Sequence, residues 1–179
     1  MGGRHQPPVQ LAPDTPPDEP LAEFEDFYRA SYSRLTSQLH AYLGDRAEAE
    51  DVVQEAFVRT WQRWSVVSAY EDPISWVRRV AWNLATSRLR RVSAAARMLR
   101  RFASPQVEPA LDPDHVALVA ALRTLPERQR RAIVLHYLAG IPVVEVAADL
   151  GVPRGTVLSW LHRGRAKLAV HLVSEEQRR

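Results

Sequence analysis

Residues 140–168, GIPVVEVAADLGVPRGTVLSWLHRGRAKL, decide how this chain folds. Val143, Val146, Ala147 and Leu150 recur at three- and four-residue spacing, the apolar stripe of a helix. Gly151 follows the stripe, where a positive backbone φ ends a helix at little cost. Pro153 suits the first turn of a second helix, because the amide it lacks has no intrahelical partner there. Val157, Leu161 and Leu168 give that second helix an inward face, and small Ala147 lets the two helices cross closely. The pattern is that of a helix-turn-helix, whose second helix lies in the DNA major groove. Charge agrees: from Leu150 to Ser174 there is no acid, but there are Arg154, Arg163, Arg165 and Lys167. The competing reading is an ordinary helical hairpin with a basic, solvated face.

Outside this stretch the chain is read as all-α. Residues 21–43 space Leu21, Phe24, Phe27, Tyr28, Tyr32, Leu35, Leu39 and Leu43 along an amphipathic helix that Gly44 stops. A second helix is predicted from Asp45 to about Trp64, with Val52, Val53, Ala56, Phe57 and Thr60 inward and Glu48, Asp51 and Glu55 on a separate face. Residues 65–72 read as a loop. Pro73 opens PISWVRRVAWNLATSRLRR, with Ile74, Val77, Val80, Ala81, Leu84 and Leu89 inward. Trp76, Arg78, Arg79, Trp82, Asn83, Arg88, Arg90 and Arg91 then supply basic, aromatic and amide groups suited to nucleic acid. Asp114 is expected to cap a helix over 115–123, and Glu127–Leu138 to form the next.

Composition narrows the function classes. The 179 residues include no cysteine, which excludes disulfides, Cys-based zinc sites and thiol chemistry. No run of about 18 apolar residues exists to span a membrane, and no signal peptide is recognised, so an intracellular protein is the default. The net charge of +3 hides a segregation. Residues 1–72 carry thirteen acids and six bases, residues 73–107 eight arginines and no acid, and residues 108–179 eight acids and ten bases. Separate surfaces with separate partners follow from that arrangement. The expected organisation is a disordered tail (1–20), a helical domain (21–103), a Pro-rich acidic flexible linker (104–114, SPQVEPALDPD), a second helical domain (115–174) and a polar end (175–179).

Three stretches in order resemble the extracytoplasmic-function sigma factors, the small promoter-recognition subunits of bacterial RNA polymerase, across about residues 22–172. AEDVVQEAFVRTWQRW resembles the segment that binds the polymerase clamp, on the β′ subunit. PISWVRRVAWNLATSRLRR resembles the helix that reads and opens the −10 element. LRTLPERQRRAIVLHYLAGIPVVEVAADLGVPRGTVLSWLHRGRAKL resembles the domain that reads the −35 element. The resemblance implies sigma region 2 followed by sigma region 4. It implies polymerase contacts at Asp51, Gln54, Glu55 and Phe57, and −10 contacts at Trp76, Arg78, Arg79, Asn83 and Arg88. It implies −35 contacts at Arg154, Thr156, Ser159, His162, Arg163 and Arg165. Leu158 and Trp160 depart from the basic residues usual in the family. The implied partners are core polymerase, promoter DNA and an anti-sigma factor, in the cytoplasm, with no cofactor, no metal and no enzymatic activity. Two other classes compete: a stand-alone helix-turn-helix regulator binding duplex DNA as a dimer, and an enzyme using Glu48, Asp51 and Glu55. The acidic 45–55 face argues against the regulator, and the lack of a completing base or nucleophile argues against the enzyme.

Overall fold

The structure, a computed structural model, describes residues 18–98 and 113–176. The expected linker up to residue 112, residues 1–17 of the expected tail and the last three residues lie outside them. Eight helices follow in order: α1 (Asp18–Leu43), α2 (Arg46–Trp61), α3 (Trp64–Val67), α4 (Pro73–Met98), α5 (Pro113–Arg123), α6 (Glu127–Ile133), α7 (Val143–Leu150) and α8 (Arg154–Glu176). The described residues contain no strand.

Local chemistry sets most boundaries. Gly44, at φ 75°, turns the chain out of α1. The Asp45 carboxylate then accepts the Glu48 amide at 3.0 Å and caps α2. Asp72 does the same for α4, accepting the Ser75 amide at 3.3 Å just ahead of Pro73. Gly151 ends α7 in the left-handed conformation at φ 63°. There the Val152 amide reaches Ala147 O at 3.0 Å and the Gly151 amide reaches Ala148 O at 3.2 Å. These are the two bonds of a Schellman corner, and they fix the turn of the helix-turn-helix.

Three segments differ from the sequence expectation. The expected 65–72 loop begins inside the short helix α3, which Trp64 (6% exposed) and Val67 (1%) anchor in the interior. α5 starts at Pro113, so Asp114 sits in the first turn rather than ahead of it. The helix expected over 127–138 stays α-helical only to Ile133 and then widens into a π-helix over Val134–Leu138. Ala139 N reaches back five residues to Val134 O at 2.9 Å.

Helices α1, α2 and α4 bury Leu35, Leu39, Val52, Val53, Ala56, Val77, Ala81 and Ala85 between them. Helices α5 to α8 bury Leu122, Leu125, Ile133, Leu135, Val146, Val157 and Leu161. The first half also holds an aromatic group around Phe57, with the rings of Phe27 at 5.9 Å and Tyr28 at 4.8 Å. The two halves meet in a seam. The Tyr42 hydroxyl donates to Glu127 Oε1 at 2.8 Å, and its ring lies 4.8 Å from that of Trp82. Arg130 covers the Tyr42 ring at 5.3 Å and Arg131 covers the Trp82 ring at 5.5 Å. Arg131 also donates to Thr86 Oγ1 at 3.1 Å. Trp82 Nε1, Arg130 Nε and Arg131 Nε are buried without a hydrogen-bond partner among the described residues. An unsatisfied buried polar atom costs on the order of 1–3 kcal/mol, so the seam is held less tightly than its contacts suggest.

Two outcomes are expected. A Cβ at Gly164 would lie 2.8 Å from Ile133 Cδ1, where α8 crosses buried Ile133. Gly164→Ala should therefore lower stability by roughly 1–3 kcal/mol despite its better helix propensity, and an unchanged melting temperature would show that Ile133 can move aside. Burial, and then the Glu127 carboxylate, push the Tyr42 phenol from 10.0 up to about 12. The neutral phenol is thus favoured in the folded chain. Its contribution is complete below pH 10 and is lost as pH rises through about 12. Across that window wild type should lose roughly 2–3 kcal/mol more than Tyr42→Phe in denaturant titrations. Parallel curves for the two proteins would contradict the assignment.

Candidate nucleic-acid interface

α2 turns Glu48, Asp51 and Glu55 toward α4, and all three carboxylates meet one guanidinium. Arg88 lies 3.2 Å from Glu48, 3.1 Å from Glu55 and 3.9 Å from Asp51. Burial pulls the Arg88 guanidinium down, but its hydrogen bonds to Glu48 and Glu55 outweigh this and raise it overall. Arg59 takes the other oxygen of Glu55 at 2.6 Å. Asp51, with its side chain 67% exposed, is the least neutralised acid of the three. Gln54 stands beside it in solvent. Phe57, expected on this docking face, is 3% exposed inside the aromatic group and cannot touch a partner from there. Arg88, expected on the DNA-reading stripe, faces α2 instead, because residues 77, 81, 84 and 88 share the inward line of α4.

The outer line of α4 carries Arg79, Trp82, Asn83 and Thr86, spaced three and four apart as one helical face. Arg79 and Asn83 are exposed, whereas Trp82 is 1% and Thr86 4% exposed. Trp82, expected among the outward groups, is therefore the centre of the seam. Trp76 and Arg78 are half-buried near the start of α4, and Arg78 donates to Ser75 Oγ at 2.8 Å. Arg79, Trp82, Asn83, Arg131 and Asp149 line a cleft of about 350 Å³ between α4 and the second half of the chain. Arg79 reaches Asp149 at 3.8 Å across it.

α8 packs through Val157, Leu161 and Gly164 and leaves its opposite face in solvent. Arg154, Ser159, His162, Arg163 and Arg165 are exposed and Thr156 is half-buried. Arg163 Nε bonds Ser159 O at 3.2 Å, which holds its guanidinium along the helix. Leu158 is 46% exposed within this face, while Trp160 packs against the core. Lys167 donates to Thr124 O at 2.7 Å and so ties α8 to the end of α5. The seam residues Arg130 and Arg131 carried no signal in the sequence, because their aromatic partners lie far away in the chain. No group of three or more His, Asp or Glu among the described residues is placed to hold a metal ion.

This geometry combines a backbone corner built for a groove-reading helix, an exposed basic face on that helix, and an acid-bearing face on the other half. Comparisons with known proteins agree with it. A sigma-70 region 2 family model matches residues 27–95, and a sigma-70 region 4 model matches residues 115–168. The chain is similar to the RNA polymerase sigma-E factor of Streptomyces coelicolor, with 31% identity over 163 residues, 87% of this chain and 89% of that one. It is similar to the ECF RNA polymerase sigma factor SigL of Mycobacterium tuberculosis, with 33% identity over 147 residues, 75% of this chain and 82% of that one. Its fold resembles that of the sigma factor RpoE solved in complex with the anti-sigma factor NepR from Bartonella quintana. That match has a TM-score of 0.70 at 23% identity and covers 84% of this chain and 96% of the other. With regions 2 and 4 in order, and relatives aligned along most of their length, the chain belongs to the extracytoplasmic-function sigma factors of the sigma-70 family.

Proposed function

We propose that this sigma factor joins core RNA polymerase through Asp51, Gln54 and Glu55 and carries two DNA readers to the promoter. α4 presents Trp76, Arg78, Arg79 and Asn83 to the −10 element, and α8 presents Arg154, Thr156, Ser159, His162, Arg163 and Arg165 to the −35 element. The observation that carries this assignment is the separation of faces. The open acid of region 2 lies on α2, while the exposed arginines lie on α4 and α8. One basic partner and one polyanionic partner can therefore be held together.

The chemistry belongs to polymerase, and this chain's work is binding. On α8, arginines neutralise phosphates and read base edges by paired hydrogen bonds. Exposed Leu158 offers an apolar contact to a thymine methyl in place of a basic reader. On α4, an aromatic ring and guanidinium planes can stack on unpaired bases and so offset the cost of unpairing, a few kcal/mol (roughly) per base. No helix among the described residues is long and apolar enough to cross a membrane, and we place the protein's action in the cytoplasm with polymerase. An anti-sigma partner is inferred from the relative solved in such a complex.

Transcription in vitro with purified core polymerase on genomic fragments tests the assignment. Start sites that depend on the protein and share spaced −35 and −10 elements are expected. Asp51→Arg should weaken core polymerase binding at least about tenfold, since it places like charge against a basic partner. Its melting temperature should stay near wild type, because Asp51 is mostly solvated. Equal polymerase affinity for the two proteins would remove Asp51 from the interface. Arg163→Ala should cost about 1–3 kcal/mol at one −35 position and relax the base preference there. Uniform weakening across all sequences would make Arg163 a phosphate contact instead.

A further inference from the structure

We propose that region 4 docks on the strand-reading face of α4 as an internal competitor of the −10 strand, with Tyr42–Glu127 and Trp82–Arg131–Thr86 as its latch. The inference rests on the assignment of α4 to the −10 element. Arg79, Asn83, Trp82 and Thr86 share one helical face, and region 4 covers it unevenly. Trp82 and Thr86 lie beneath Arg131. Arg79 is turned toward Asp149 of α7, and Asn83 opens only into the cleft between the halves. A strand laid along this face would meet α6 and α7 first. Docking and strand binding therefore exclude each other.

The latch is built to release. It brings like charges together, because Arg131 of region 4 comes near enough to Arg90 of α4 for the two to repel. Burial also pulls both Arg130 and Arg131 below the ordinary guanidinium value. Three polar atoms stay unpartnered among the described residues while the seam is closed, and separation returns them to water. A polyanionic strand attracts the basic groups on both sides of the seam and so favours the separated form. Free chain then binds a strand only as often as the seam opens, which lowers its apparent affinity by the open fraction.

The chain has no cysteine, so Ala30→Cys on α1 and Ala169→Cys on α8, both exposed, can carry a fluorophore pair cleanly. Energy transfer in the free protein should report one compact population. Tyr42→Phe and Arg131→Gln, each made in that labelled background, should shift it to longer distance. Each should also bind a labelled single strand spanning a mapped −10 element about fivefold more tightly, the factor set by one ordinary hydrogen bond. Tyr42→Phe keeps the ring that packs on Trp82, so at least one variant retains its packing. Labels already apart in the free wild type would overturn the latch. Unchanged strand affinity in both variants would overturn the competition. Run-off transcription by wild type from the same promoter tests the −10 assignment separately, so failure of that assignment is told apart from failure of the latch.

Discussion

Two neighbouring guanidinium groups withdrawn from water hold this molecule together. Arg130 lies over Tyr42 and Arg131 over Trp82, and each ring belongs to the other half of the chain. A buried cation is costly, and the negative face of an aromatic ring returns only part of that cost. The Glu127 carboxylate and the Thr86 hydroxyl supply more. Each half is near the size at which one core is only marginally stable by itself, so the seam matters to both. A seam of greasy residues would hold the halves more firmly. One made of cations, a phenol and an indole joins them and still lets water compete.

Arg88 plays the corresponding part inside region 2. It sits where the acid line of α2 meets the inward line of α4 and binds Glu48 and Glu55 together. The ion pairs are partly solvated, so their worth is modest and screened by salt. Their geometric effect is larger. The same carboxylates that mark the polymerase face also fix the rotation of the DNA-reading helix about its own axis. Whatever disturbs one of these surfaces is thereby felt at the other.

What could be read from the sequence followed from local periodicity. The stripes of α1, α2, α4 and α7, the stops at Gly44 and Gly151 and the start at Pro73 are all short-range signals, and each stands where the spacing puts it. The reading face of α8 was legible for the same reason, since Val157, Leu161 and Gly164 settle which side turns inward. Long-range pairing was not legible. Trp82 looks like an outward aromatic until α6 is placed over it, and Arg131 is one arginine among many until Trp82 is beneath it. Phe57 is apolar and at the right spacing for the core, and its neighbours Tyr28 and Phe27 bear that out against its expected place on a docking face. The π-helix left no trace because its apolar residues satisfy an α pattern equally well.

That widened turn sets the phase of everything after it. Between Val134 and Leu138 the backbone accommodates one residue more than an α-helix of the same length. Deleting a single residue there would let the segment rewind as ordinary α-helix. The following chain would then rotate by about 100° and draw in by about 1.5 Å. His136, whose ring nitrogen sits 2.8 Å from Ile141 O, clasps the exit of the turn and holds the wider winding in place. The aim of the groove-reading helix is thus indexed by one inserted residue, as a gear is indexed by one tooth. Insertions or deletions in α6 would be felt as changes of promoter geometry well before they were felt as loss of fold.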